Sequence, residues 1–204
     1  MTAVRLNDFL TRDELAQLSR RSNARAWMTI AVNWGLIAAA FALAIAWPNP
    51  LTIVLAVLVI AARQLGLGII VHDCAHHALF EGRVLNERVG HWLAGVPMKQ
   101  SLVRYRAYHL KHHQYAGTPQ DPDIGFVRHY PITRESLRRK FARDLTGRTG
   151  FRDMARELKG FRLAEHWPWL AFHAGLFAVL AAAGGWWAYG LWWVAYLFVY
   201  PAIV

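Results

Sequence analysis

The sequence predicts an all-α integral membrane protein, with four transmembrane helices in two hairpins and a helical cytoplasmic region between them. Three observations carry this expectation. Charged side chains are absent from Ala26 to Pro50 and from Trp167 to Val204. Lysine and arginine gather on one side of the predicted spans. Two short clusters, His72-Asp73-Cys74-Ala75-His76-His77 and His109-Leu110-Lys111-His112-His113, hold six of the ten histidines and lie beside apolar stretches. The 204 residues read as a single membrane domain, 1–204. It divides into an N-terminal cytoplasmic helix (1–25), a first hairpin (26–71), a histidine-bearing cytoplasmic region (72–166) and a second hairpin (167–204).

Residues 1–25 carry mixed charge and predict an amphipathic approach helix. Asn7 or Thr11 can cap it, and Thr11-Arg12-Asp13-Glu14 has capping-box spacing. Ala26–Trp47 is about 33 Å long as a helix, enough for a hydrocarbon core of about 30 Å. It is too long for the apolar part of a signal peptide. After Pro48-Asn49-Pro50, the run Leu51–Val71 is interrupted only by Arg63-Gln64. Its uninterrupted portion, Leu51–Ala62, is too short to span, so this helix runs on toward His72. Arg63 is costly in a bilayer and is expected to snorkel, face the protein interior or pair with an acid.

Beyond the first histidine cluster, Gly82 and the run Val84–Leu102 predict a partly apolar helix lying on the membrane surface. The second cluster falls on a helix around Arg104–Tyr115, ended by Gly117-Thr118-Pro119 and Asp121-Pro122-Asp123. A basic section over 132–165 follows, with a helix over Thr133–Leu145. Trp167–Val204 is too long for one span and breaks at Gly184-Gly185 into a helical hairpin. Its many tryptophans and tyrosines belong to an interfacial belt, or pack on neighbouring helices or line a lipid channel.

Five of the 23 basic residues precede the first span, and seventeen lie between His72 and Arg162. The turns at Pro48-Asn49-Pro50 and Gly184-Gly185 carry none, so the N-terminus and the 72–166 region are predicted to be cytoplasmic. The net charge of +10 then reflects topology and contact with the anionic headgroups of membrane lipids. No base-stacking module accompanies it, and a nucleic-acid partner is not expected. The single cysteine, Cys74, excludes an intrachain disulfide and fits a reducing compartment. It is either a thiolate ligand or, in the commoner role, a small apolar filler.

Residues four apart share a helix face. His72 and His76 therefore project together, and His109, His112 and His113 share one face at i, i+3 and i+4. Two such faces opposed supply five imidazoles to a common centre, and neutral imidazole suits iron, zinc and copper. His77 is rotated by about 100° from His76 and would reach a second metal or support a ligand. Asp73, Asp121 and Asp123 can receive the other ring N–H of a ligating histidine. Asp121 and Asp123 serve equally well as turn formers. His91, His129, His166 and His173 are read as structural.

At HDCAHH followed by HLKHHQYAGTPQDPD, the sequence resembles the membrane-bound fatty acid desaturases. LFEGRVLNERVGHWLAG and YPITRESLRRKFARDLTGRTG resemble their bacterial members. The resemblance implies an enzyme of the cell inner membrane with two iron ions and dioxygen as co-substrate. Such an enzyme introduces a cis double bond into an acyl-lipid or acyl-carrier substrate. A ferredoxin-like or cytochrome-type donor supplies electrons. Carried over by position, the catalytic ligands are His72, His76, His109, His112 and His113, and His77 is an additional metal ligand. Carotenoid and alkane hydroxylases and ketolases share these boxes and remain alternatives, as does a membrane metal-binding or transport protein without enzymatic activity. The resemblance also implies a third histidine box after the fourth span. The chain reaches Val204 without one, so it is expected to be the N-terminal part of a longer enzyme and inactive alone.

Overall fold

A computed structural model describes residues 9–199. Asn7, one of the two candidate caps, and the last residues of the predicted second hairpin lie outside this range. The described residues are helical, with no strand among them.

Helix α1 (Arg12–Leu18) opens on a capping box in which the Thr11 side chain accepts from the Glu14 backbone N–H and Glu14 reaches back to the Thr11 N–H. Helix α2 (Asn23–Ala46) is capped by Ser22. Helix α3 (Pro50–Ala75) starts where the Asn49 side chain accepts from the backbone N–H groups of Leu51 and Thr52. Pro50 fits the first helical position because it has no N–H to leave unpaired. Two helical stretches, within Arg12–Ala46 and Pro50–Ala75, are long and apolar enough to cross a bilayer. Only 33% and 39% of their most apolar windows are buried. Val32, Leu36, Val54, Leu55 and Leu58 face outward. Such contiguous apolar exposure suits lipid rather than water.

Helix α3 is the centre of the packing, with α2, α10 (Tyr189–Phe198) and the segment after α4 (Arg83–Val89) laid against it. Gln64, the polar break in its apolar run, is buried and donates from Nε2 to the Trp192 carbonyl at 2.9 Å. This side chain ties α3 to α10, and Asn33 of α2 donates to the Arg63 carbonyl at 3.3 Å.

The surface helix expected over Val84–Leu102 is three shorter pieces. Helix α4 (Arg83–Val89) passes into a π-helical turn (Gly90–Gly95), then a 3-10 turn (Val96–Met98), and Lys99 takes a left-handed conformation. The reason is close packing. A Cβ on Gly90 would lie 2.5 Å from the Cys74 Cβ, and one on Gly95 would lie 2.4 Å from the Gln100 carbonyl oxygen. Val89, Ala94 and Val96 are buried, so one side of this segment joins the core, while Val84, Trp92 and Leu93 remain exposed.

Helix α5 (Leu102–Tyr115) carries the second histidine cluster, and α6 (Ile124–Val127) follows the Asp121–Asp123 turn. Helices α7 (Arg134–Leu145) and α8 (Arg148–Lys159) form the basic section. Helix α9 (Leu163–Ala182) turns at Gly184, whose φ of +77° favours glycine, and leads through Trp186–Ala188 to α10 (Tyr189–Phe198). Trp192 is buried against Trp34 and Phe172, which accounts for one of the tryptophans as packing.

Candidate metal centre

The last turn of α3 presents His72, and His76 caps the helix with its backbone N–H still bonded to the His72 carbonyl. Helix α5 presents His109 and His113 one turn apart. The two helix ends meet, and one potential ligand nitrogen from each of the four histidines lies within 4.8 Å of the others. His109 Nε2 is 2.9 Å from His76 Nε2 and 3.0 Å from His113 Nε2. Ligand nitrogens sit about 2.0–2.1 Å from a transition metal such as zinc, so two on one ion are separated by about 3 to 4 Å. The all-nitrogen donor set suits iron, zinc or copper. The residues present fit a metal.

Asp73 lies 2.9 Å from His72 Nδ1, which leaves the other ring nitrogen available. His112 is not in the four-histidine group. Its Nδ1 is 2.7 Å from the buried Asp121 and 3.5 Å from Asp123. Asp121 also accepts from the backbone N–H groups of Gly117 and Asp123. The turn-forming and histidine-orienting roles foreseen as alternatives for Asp121 thus coincide in one carboxylate. The hydrogen bond with His112 holds the Asp121 carboxyl down at about 2 and raises His112 above its ordinary value. A proton fixed on Nδ1 leaves Nε2 free as a donor atom.

His77 points elsewhere. Helix α3 ends at Ala75, His77 has a φ of +53°, and its Nε2 is 3.7 Å from Glu87. Cys74 is fully buried and packs toward Gly90 as an apolar filler, outside the histidine group.

Tyr105, Tyr108, Arg106 and Glu87 also belong to this region and were missed from sequence. The Tyr105 ring stacks on His109 with centroids 5.2 Å apart. Its position four residues before His109 is a signal that helical spacing offers. Tyr108 donates to Asp123 at 2.5 Å, and that bond pushes its phenol up to about 12. A cavity of about 540 Å³ adjoins Tyr105 and Tyr108 and extends to Lys99, Arg104 and Trp169.

Burial, and then the neighbouring His72, His113, His76 and His112, push His109 down to about 4; burial leads for His76 too, which is also lowered. Between about 4 and the ordinary 6.5 the unfolded chain therefore binds more protons at His109 than the folded one. Stability linked to this residue is intact above pH 6.5 and falls as pH drops toward 4. We predict that the thermal midpoint of metal-free protein in detergent falls across that window, and falls less in His109→Phe. Identical pH profiles for the two proteins would refute this.

An all-helical protein with a metal-competent histidine cluster at the end of an apolar helix is the class that this fold and site define. The chain belongs to the fatty acid desaturase family, whose model matches residues 48–204. It is 37% identical to the dihydrorhizobitoxine desaturase of Bradyrhizobium elkanii over 118 residues, which is 55% of this chain and 32% of that protein. It is 35% identical to a beta-carotene ketolase of Paracoccus sp. (strain PC1) over 78 residues, which is 38% of this chain and 32% of the ketolase. The chain thus spans about a third of the length of these relatives. No solved structure gives a significant match.

Proposed function

We propose that the chain carries two of the histidine boxes of an oxygen-dependent fatty acyl desaturase that holds two iron ions. The observation that supports this reading best is the convergence of His72, His76, His109 and His113 from two helices on one centre. His112, oriented by Asp121, is the proposed fifth ligand, and the family resemblance implies a third box that completes the shell. His77 is left as a residue that borders the site through Glu87. When bound, iron would activate dioxygen for oxidation of an unactivated C–H bond, with electrons from a ferredoxin-like or cytochrome-type donor.

The chain's own residues hold and orient. Asp73 and Asp121 keep the protons of His72 and His112 on Nδ1. The depressed basicity of His76 and His109 keeps their lone pairs available near neutral pH. Tyr105 forms a wall shared by His109 and the adjoining cavity, which is the proposed approach for an acyl substrate. In this reading α9 crosses the bilayer beside α2 and α3 and α10 begins the fourth span, which makes two hairpins. The basic residues put the N-terminus and the boxes on the cytoplasmic side of the inner membrane.

A ketolase or hydroxylase is the second reading, favoured by the likeness to the carotene ketolase. Mass spectrometry of lipids from cells expressing the complete enzyme separates the two. Loss of two hydrogens from an acyl chain is the expected result, and oxygen incorporation would favour the second reading. A metal transporter should place its ligands near the bilayer midplane; here they sit at a helix end. Histidine-dependent zinc or iron flux into vesicles would overturn the enzyme assignment.

A further inference from the structure

Arg106 stands on α5 one turn before His109, and its guanidinium reaches the end of α3. Nε donates to the Ala75 carbonyl at 2.8 Å, Nη2 donates to the Cys74 carbonyl at 3.1 Å, and Nη1 is 2.7 Å from Glu87 on α4. Its side chain is only 16% exposed. The final carbonyls of a helix lack intrahelical partners and carry its negative dipole end, so a cation is favoured there. Arginine's planar fork can engage two carbonyls and a carboxylate together, which a lysine ammonium cannot reproduce. Three elements therefore meet on one cation, between the turn that holds His72 and His76 and the turn that holds His109.

We propose that Arg106 is a positioning residue that sets the distance between the two histidine pairs, by clamping the carboxyl end of α3 to α5. The inference rests on the metal-binding reading above. Without the fork, the Ala75 and Cys74 carbonyls lose their link to α5. The last turn of α3 then swings independently of His109 and His113. Glu87 acts through Arg106 by holding the guanidinium in plane.

The test uses the full chain in lipid nanodiscs, with cobalt(II) alone as the metal probe. Cobalt titration is followed by visible absorption, and amide hydrogen exchange is measured on metal-free protein. Arg106→Gln is expected to weaken cobalt binding by about tenfold to a hundredfold, as loss of residues supporting metal ligands does. It should also alter the ligand-field bands and speed exchange at 74–78, while α2 and the first turns of α3 stay protected. Arg106→Lys should recover part of the affinity, and Glu87→Gln should lose less than Arg106→Gln. Arg139→Gln, which removes a surface pair with Glu135, should match wild type. A general loss of stability would reduce the amount of folded protein without changing the bands of the remainder. Wild-type bands and affinity in Arg106→Gln, or unchanged exchange at 74–78, would overturn the clamp. Failure of the wild type to bind cobalt would overturn the metal reading instead, and the exchange result would then decide the clamp by itself. If Arg106→Gln does not fold, Arg106→Lys carries the same comparison.

Discussion

In the complete enzyme, His76→Ala is expected to abolish iron-dependent product formation while the protein remains in the membrane. His76 lies among the other three members of the cluster: its ring is 4.8–4.9 Å, centroid to centroid, from those of His72, His109 and His113. Alanine removes a nitrogen from the centre and leaves no side-chain donor to replace it. The backbone cost is small, because the residue's N–H bonds to the His72 carbonyl whatever the side chain. Loss of activity should therefore come with reduced bound iron and near-normal membrane content. His112→Ala is expected to abolish turnover too, by removing a ligand that Asp121 orients. Normal turnover by either variant would refute the ligand assignment. Iron content by elemental analysis of purified protein separates loss of metal from loss of protein.

Asn86→Ala should give the largest loss of stability without touching a histidine. Asn86 is fully buried and folds the loop that follows the first histidine cluster. Its Oδ1 accepts from the Phe80 N–H at 3.1 Å, and its Nδ2 donates to the Phe80 and Gly82 carbonyls at 2.8 and 2.9 Å. Alanine leaves the buried Phe80 N–H and carbonyl without their partner, whereas the Gly82 carbonyl keeps the residue-86 backbone N–H, and each buried unsatisfied group costs about 1–3 kcal/mol. A net loss of about 2–4 kcal/mol follows for the two with partial relaxation of the loop. Phe80, fully buried and edge-on to Trp27, would lose its seat. The expected readouts are a lower thermal midpoint in detergent and faster tryptic cleavage at Arg83. Asn86→Asp should not rescue, since it sets an anion against two carbonyls. An unchanged midpoint in Asn86→Ala would show that the loop does not depend on this side chain.

Much of the helical order is legible from local chemistry. Thr11, Ser22, Asn49 and Thr133 all cap helices through their side chains. Gly184 turns the chain where its conformational freedom is needed. The extension of α3 past Val71 to carry His72 follows from apolar length and the position of Arg63-Gln64. These features depend on neighbours within a few residues, so sequence alone displays them. The segment Val84–Leu102 reads as one helix in sequence because its apolar content is local, whereas the close approach of Gly90 to Cys74 that breaks it is not.

The sequence by itself determined an all-helical chain with two strongly apolar helical stretches and two histidine clusters at ligand spacing. Helical periodicity and hydropathy are local, and they survive without knowledge of the fold. Only the tertiary structure separated the six clustered histidines into four that converge, one that turns to Asp121 and one that turns to Glu87. A helix ending at Ala75 rotates His77 away, and a turn nine residues beyond His112 brings Asp121 back to it. Arg106 and Glu87 are likewise invisible as a pair in sequence, because nineteen positions separate them. Their contact exists because Glu87 of α4 and Arg106 of α5 are packed at the end of α3, whose Cys74 and Ala75 carbonyls accept from the same guanidinium.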